Sequence, residues 1–141
     1  MKTLFLTAMM FMGLGSQMAL AHGEDKPGPN GGFIRMPGAF HTEVVPTGAN
    51  SLKVYLLDIE WKNPSVKGAS VLVTHKGTRT TKKECTLESN YYVCQFPKNI
   101  DLKKKGELLV EAQRENQKGN VVSYELPLKL QVVDDGHGGH H

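Results

Sequence analysis

Beyond residue 32, apolar and polar positions alternate with a period of two, which predicts strands rather than helices. The clearest run is Val122–Val132. Val122, Tyr124, Leu126, Leu128, Leu130 and Val132 share one parity, and Ser123, Glu125, Lys129 and Gln131 share the other. Pro127 falls on the outward set and marks an edge position or a bulge. Leu52–Ile59 is rich in Leu, Val and Tyr. Ala69–His75 sets Ala69, Val71 and Val73 against Ser70 and Thr74, and Glu107–Arg114 sets Leu108, Val110 and Ala112 on one face. Phe33–Met36 and Phe40–Val45 are shorter, stopped by Pro37-Gly38 and by Pro46. Thr78–Leu87 is rich in Thr and Lys and suits an exposed edge strand. Tyr91–Phe96 follows a turn at Glu88-Ser89-Asn90. Loops are expected at Glu60–Gly68, which carries Trp61, at Ile100–Gly106, which carries Lys103-Lys104-Lys105, and at Asn116–Asn120.

Roughly seven or eight short strands with frequent turns predict an all-β domain. The expected architecture is an immunoglobulin-like antiparallel β-sandwich over residues 33–133, with a small β-barrel as the alternative. Residues 1–21 read as an export signal. Lys2 supplies the positive start, Leu4–Leu14 the apolar core, and Ala19-Leu20-Ala21 the cleavage site. A spanning helix needs about 20 apolar residues, more than this core offers. Cleavage after Ala21 gives a periplasmic or secreted chain that begins at His22, has no membrane span and keeps only Met36 of the six methionines. His22–Gly32 is a Gly- and Pro-rich arm, and 134–141 a flexible His/Gly tail.

Composition changes this picture little. Gly 15 and Pro 7 favour turns, and a net charge of +3 is too small to argue for nucleic acid. The two cysteines, Cys85 and Cys94, are expected to form a disulfide across a hairpin in an oxidising compartment. A redox or thiolate-metal pair is the alternative, although Cys-x8-Cys is not the usual spacing for either. The chain has no G-x-S-x-G, no His-Glu-x-x-His and no phosphate loop, and the expectation is a protein without catalytic residues.

The candidate chemistry lies in the histidines, because imidazole is a common ligand for Zn, Cu and Ni. A processed His22 carries a free amine beside its imidazole, a chelating pair for Cu(II). His41 and Glu43, at i and i+2 on a strand, point to one face, with Phe40 and Val44 on the other. Met36, across Pro37-Gly38-Ala39, faces His41 if the segment is a hairpin, and its thioether favours Cu(I). These four residues form the candidate metal site. His137, His140 and His141 form a secondary, weaker metal-binding tail, or simply a solvated end. An ordinary surface pair is the plainer reading of His41 and Glu43. His75 ends a strand and is read as structural.

The stretch Gly28-Pro29-Asn30-Gly31-Gly32, followed by His41-Thr42-Glu43-Val44-Val45 and Leu52-Lys53-Val54-Tyr55, resembles a segment of periplasmic heavy-metal efflux adaptor proteins. Asn30 stands where that pattern often has His. The resemblance covers about a quarter of the mature chain and includes no helical hairpin or lipoyl-like part. It implies periplasmic handling of copper, or of Zn, Ni or Co, with an efflux adaptor or another envelope protein as partner. Three functions follow from the sequence. The first is a soluble metal-binding or carrier protein. The second is an interaction module without metal, using a basic edge at Lys82, Lys83 and Lys103–Lys105. The third is a copper oxygenase built on His22, which so short a chain disfavours.

Overall fold

The structure, a computed structural model, describes residues 24–130. The proposed signal segment, His22, residues 131–133 and the His/Gly tail lie outside the described residues. In chain order the strands are β1 (Phe33–Arg35), β2 (His41–Gly48), β3 (Ser51–Leu57), β4 (Ser70–Lys76), β5 (Thr80–Glu84), β6 (Thr86–Glu88), β7 (Tyr91–Gln95), β8 (Gly106–Arg114), β9 (Gln117–Lys118) and β10 (Val122–Leu126). They form two five-stranded antiparallel sheets. One has the order β1-β2-β3-β7-β6. The other has the order β10-β8-β4-β5, with β9 closing a hairpin on β8. The sheets stay open, so this is the sandwich and not the barrel. Taking β2 to β8 and β10 as A, B, C, C′, D, E, F and G reproduces the ABED and GFC sheets of an immunoglobulin-like domain. C′ is added to the second sheet, and β1 is an extra strand outside A.

The period-two pattern explains the layering. β3, β8 and β10 each bury alternate residues, among them Leu52, Val54 and Leu56; Leu108, Val110 and Ala112; and Val122, Tyr124 and Leu126. These side chains meet Phe40, Val44, Val71, Val73 and Phe96 in one core between the sheets.

A polar network crosses that core at one point. The Tyr124 hydroxyl lies 2.6 Å from Thr42 Oγ1 and donates to Thr42 O at 3.1 Å. Arg35 donates to Ser123 O and Ile34 O, and its guanidinium carbon lies 4.5 Å from the Tyr124 ring centroid. Burial pushes the Tyr124 phenol well above its ordinary value and lowers that of Arg35. The hydroxyl therefore stays neutral and works as a hydrogen-bond group linking the two sheets.

Three sequence expectations are corrected. Thr78–Leu87 is not one edge strand. β5 pairs with β4, whereas β6 pairs with β7 in the other sheet, so the chain changes sheets at Cys85. The last strand ends at Leu126, because Pro127 has no N–H to continue the ladder. Leu128 beyond it only partly packs on the core, and Leu130 is exposed. Conversely, Pro46 does not stop β2, which runs on to Gly48 with an irregular register. β1 pairs with β2 only as far as Val44, so Pro46 lies where that side of β2 is an open edge.

Cys85 and Cys94 are bonded, with Cα atoms 4.5 Å apart. The register of β6 and β7, continued one residue past Thr86↔Val93, brings the two together across the hairpin. Cys85 N also donates to Val71 O on β4, so the disulfide ties the corner strand to both sheets. Restriction of so short a loop in the unfolded chain stabilises by about 2–3 kcal/mol on the chain-entropy argument. The double variant Cys85→Ala/Cys94→Ala is expected to lose about that amount in urea denaturation while keeping a β-type far-UV spectrum. An unchanged midpoint would show that the corner is held by packing alone.

Candidate functional site

The outward face of β2 carries His41 and Glu43, with Phe40 and Val44 turned into the core as the alternation requires. That outward face is nevertheless covered. Glu43 is completely buried and His41 is 5% exposed. The cover over Glu43 is the segment Gly28–Gly32, which folds back on itself through Gly31 N→Gly28 O and Gly28 N→Gly32 O.

Glu43 is the anchor of this segment. Its Oε2 accepts from Asn30 N at 2.9 Å and from Gly32 N at 2.8 Å, and its Oε1 accepts from Asn30 Nδ2 at 2.8 Å. A buried carboxylate needs such donors, because burying an unpartnered charge is very costly. The glycines are required by proximity. A Cβ on Gly28 would run into the Glu43 carboxylate, and one on Gly32 would sit 2.5 Å from Val44 O. With Glu43 used in this way, the candidate metal site loses its carboxylate. Asn30 serves as the hydrogen-bond partner of that carboxylate through both its amide and its carboxamide.

His41 is positioned differently. Its Nδ1 is 3.1 Å from Asp58 O, and its ring meets Trp61 edge-on with centroids 6.0 Å apart. Nδ1 is the donor to the carbonyl, which leaves Nε2 as the lone-pair nitrogen. Nε2 has no hydrogen-bond partner among the described residues. Met36 is 43% exposed, and continuing the β1–β2 register one step past Arg35↔Thr42 sets it opposite His41. Met36 and His41 therefore flank the β1–β2 connection. The structure does not add Glu43 to them as a free ligand. No group of three or more His, Cys, Asp or Glu side chains arranged for a metal occurs among the described residues.

The loop expected at Glu60–Gly68 lies behind His41 and starts earlier, at Asp58, whose role the sequence does not mark. Asp58 Oδ1 accepts from Glu60 N at 2.9 Å and Lys62 N at 2.8 Å, and Oδ2 accepts from Asn63 Nδ2 at 2.8 Å. Asp58 O also accepts from Trp61 N. Trp61 and Asn63 both adopt positive φ, 64° and 51°, a conformation the Asp58 side chain stabilises by satisfying the turn's amides. The Lys62 amide foremost, then the Asn63 side chain, holds the Asp58 carboxyl below its ordinary value.

His75 was read as structural, and it is buried, but with an unsatisfied atom. Its Nδ1 is the one buried side-chain nitrogen or oxygen without a hydrogen-bond partner among the described residues. Such a group destabilises by about 1–3 kcal/mol relative to a satisfied one. Burial lowers the imidazole's affinity for a proton. One signal was available in the sequence: His75 has the parity of the core residues Val71 and Val73.

Comparison of the chain with protein-family models, curated proteins and solved structures finds no match.

Glu43→Gln is expected to destabilise the fold by about 1–3 kcal/mol in urea, because a carboxamide cannot accept at both oxygens and presents an N–H to amide donors. A neutral result would mean that the Gly28–Gly32 segment contributes nothing to the fold.

Acid should act on the Asp58 turn. Because the folded pKa is depressed, the turn's stabilisation is complete above the ordinary Asp value of about 3.9 and is lost as the pH falls through the folded value. Trp61 is the chain's single tryptophan, so its fluorescence reports this transition. The midpoint is expected below pH ~3.9, and Asp58→Asn should abolish the transition without a global loss of structure. A midpoint unchanged by that variant would assign it to another group.

Proposed function

We propose that the protein is a periplasmic or secreted metal-binding carrier, with copper as the preferred ion and Zn, Ni or Co as weaker alternatives. The site is centred on His41 and Met36, and His22 completes it. The observation that carries this reading is the hydrogen bond from His41 Nδ1 to Asp58 O. Metal-binding histidines commonly donate one ring nitrogen to a carbonyl, which fixes the ring and directs the other nitrogen's lone pair at the ion. Met36, on the facing strand end, supplies a soft thioether suited to Cu(I).

The Gly28–Gly32 segment supports the inclusion of His22. It lies on the same sheet face as His41, so the chain leading to it emerges on that side. His22 is six residues before Gly28, within an extended reach of about 20 Å. Glu43 is not a ligand in this reading. It fixes the segment from which the arm departs. The partner that the resemblance suggests, an efflux adaptor or other envelope protein, would receive the ion there.

The second reading, an interaction module without metal, draws on the exposure of Met36 and Ile59 near the same end of the first sheet. One experiment separates the two. Mature protein beginning at His22, with His137, His140 and His141 replaced by Ala, is titrated with Cu(II) and followed by Trp61 fluorescence. Copper on His41 Nε2 would lie beside the indole and quench it. His41→Asn retains a donor for Asp58 O while removing the ligand nitrogen, and is expected to weaken binding at least tenfold. His22→Ala should do the same. Equal affinity with both residues replaced would overturn the metal reading in favour of the interaction module.

A further inference from the structure

The unsatisfied histidine lies at the opposite end of the sandwich. His41 begins β2, whereas the His75 ring lies tilted against Phe96, whose amide donates to Asn50 O in the turn after β2. Here the core is capped by residues 97–105, and between this cap and the β4–β5 turn opens a cleft of about 280 Å³. His75, Thr81 and Ile100 line it, with Arg79, Lys104 and Lys105 at its margin.

The charge at this cleft is unbalanced. Among the described residues, no carboxylate lies within ion-pair distance of Arg79, Lys104 or Lys105. The one acidic lining residue, Asp101, has its Oδ1 occupied by the Lys103 amide at 2.9 Å. Three cations against one anion leave a surplus suited to a dianion. The imidazole adds a directed donor. Nδ1 is buried without a hydrogen-bond partner, and with the imidazole proton on Nε2 the ring presents its donor there. His75 lines the cleft, and its Nε2 has no hydrogen-bond partner among the described residues.

We propose that this cleft binds a phosphate group, held by the Arg79 guanidinium and the Lys104 and Lys105 ammonium groups, with His75 Nε2–H as the inner donor. Phosphate fits better than a carboxylate on two counts. It is close to dianionic at neutral pH, matching the local surplus. Its tetrahedral oxygens also accept the paired donors of a guanidinium while leaving others for the lysines and the imidazole. The thioether and lone-pair donors at the His41 end have the opposite preference, and this site does not depend on the metal reading.

The test is titration of the 15N-labelled protein at low ionic strength with inorganic phosphate and, separately, with glycerol 3-phosphate, using sodium chloride at matched ionic strength as the control. Saturable shifts confined to residues 75–81 and 99–105 and to the His75 ring are expected with phosphate and not with chloride. Tighter binding of the monoester would assign the natural ligand to organic phosphates, and tighter binding of the free ion to inorganic phosphate. Arg79→Gln and the pair Lys104→Gln/Lys105→Gln, all at exposed positions, should each weaken binding at least tenfold. The pair Lys62→Gln/Lys67→Gln, with the same charge change elsewhere on the surface, should leave it unchanged. Unsaturated shifts spread over all surface lysines, or an Arg79→Gln protein that binds as before, would overturn the proposal.

Discussion

A carboxylate with no access to water must be given donors by the protein, and in this fold that requirement organises the N-terminal third of the domain. Glu43 sits on a strand whose other face belongs to the core, so its outward position must be satisfied by something laid over the sheet. The segment Gly28–Gly32 does this with two main-chain amides and one side-chain amide. Asn30 supplies both an amide and a carboxamide, and Gly28 and Gly32 leave room for the approach. The strand β1 that follows is only three residues long, yet it is fixed in register against β2 beside this anchor. The direction from which the chain arrives at the sandwich, on the side of His41, is a consequence of one acidic side chain.

The two sheets are joined by different means at different places. Most of the interface is apolar and non-directional, and it would tolerate small sliding movements. The Tyr124–Thr42–Arg35 network is directional and sets the relative position of β10 and β2. The chain's change of sheet at Cys85 is covalent in effect, because the disulfide fastens the corner to β7 while its amide remains in the ladder with β4. A bend in a single edge segment thereby becomes a fixed angle between layers.

Much of the sandwich was legible in the sequence. The parity of Val122, Tyr124 and Leu126 placed the core, and the turn before Tyr91 brought the cysteines into opposition. What alternation cannot supply is the identity of whatever covers a face. It assigned His41 and Glu43 correctly to the side away from the core, but Glu43 is covered by a Gly-rich segment with no periodicity of its own, and His41 packs beside the Trp61 loop. Thr78–Leu87 misled for a related reason. Its polar residues signal an edge, and an edge can pass from one sheet to another without any change in composition. A loop at Glu60–Gly68 was expected, but not the part played by Asp58, because the amides that its carboxylate collects are ones that every residue has and no spacing marks them. His75 was half legible: its parity pointed inward, but only the packing shows that one nitrogen is buried without a partner and that the residue lines a cleft with cations around it.

The boundaries of the sheets have a consequence for behaviour at high concentration. The first sheet ends in two strands of three residues each, β1 and β6, too short to template a long ladder with another chain. The second ends on one side in β5, where Lys82 and Lys83 repel an identical strand, and on the other in β10, cut short before Pro127. Among the described residues, the terminal strands of both sheets are blunted by length, charge or proline. Edge-to-edge pairing with another copy is therefore disfavoured at these strands, even though the sheets stay open.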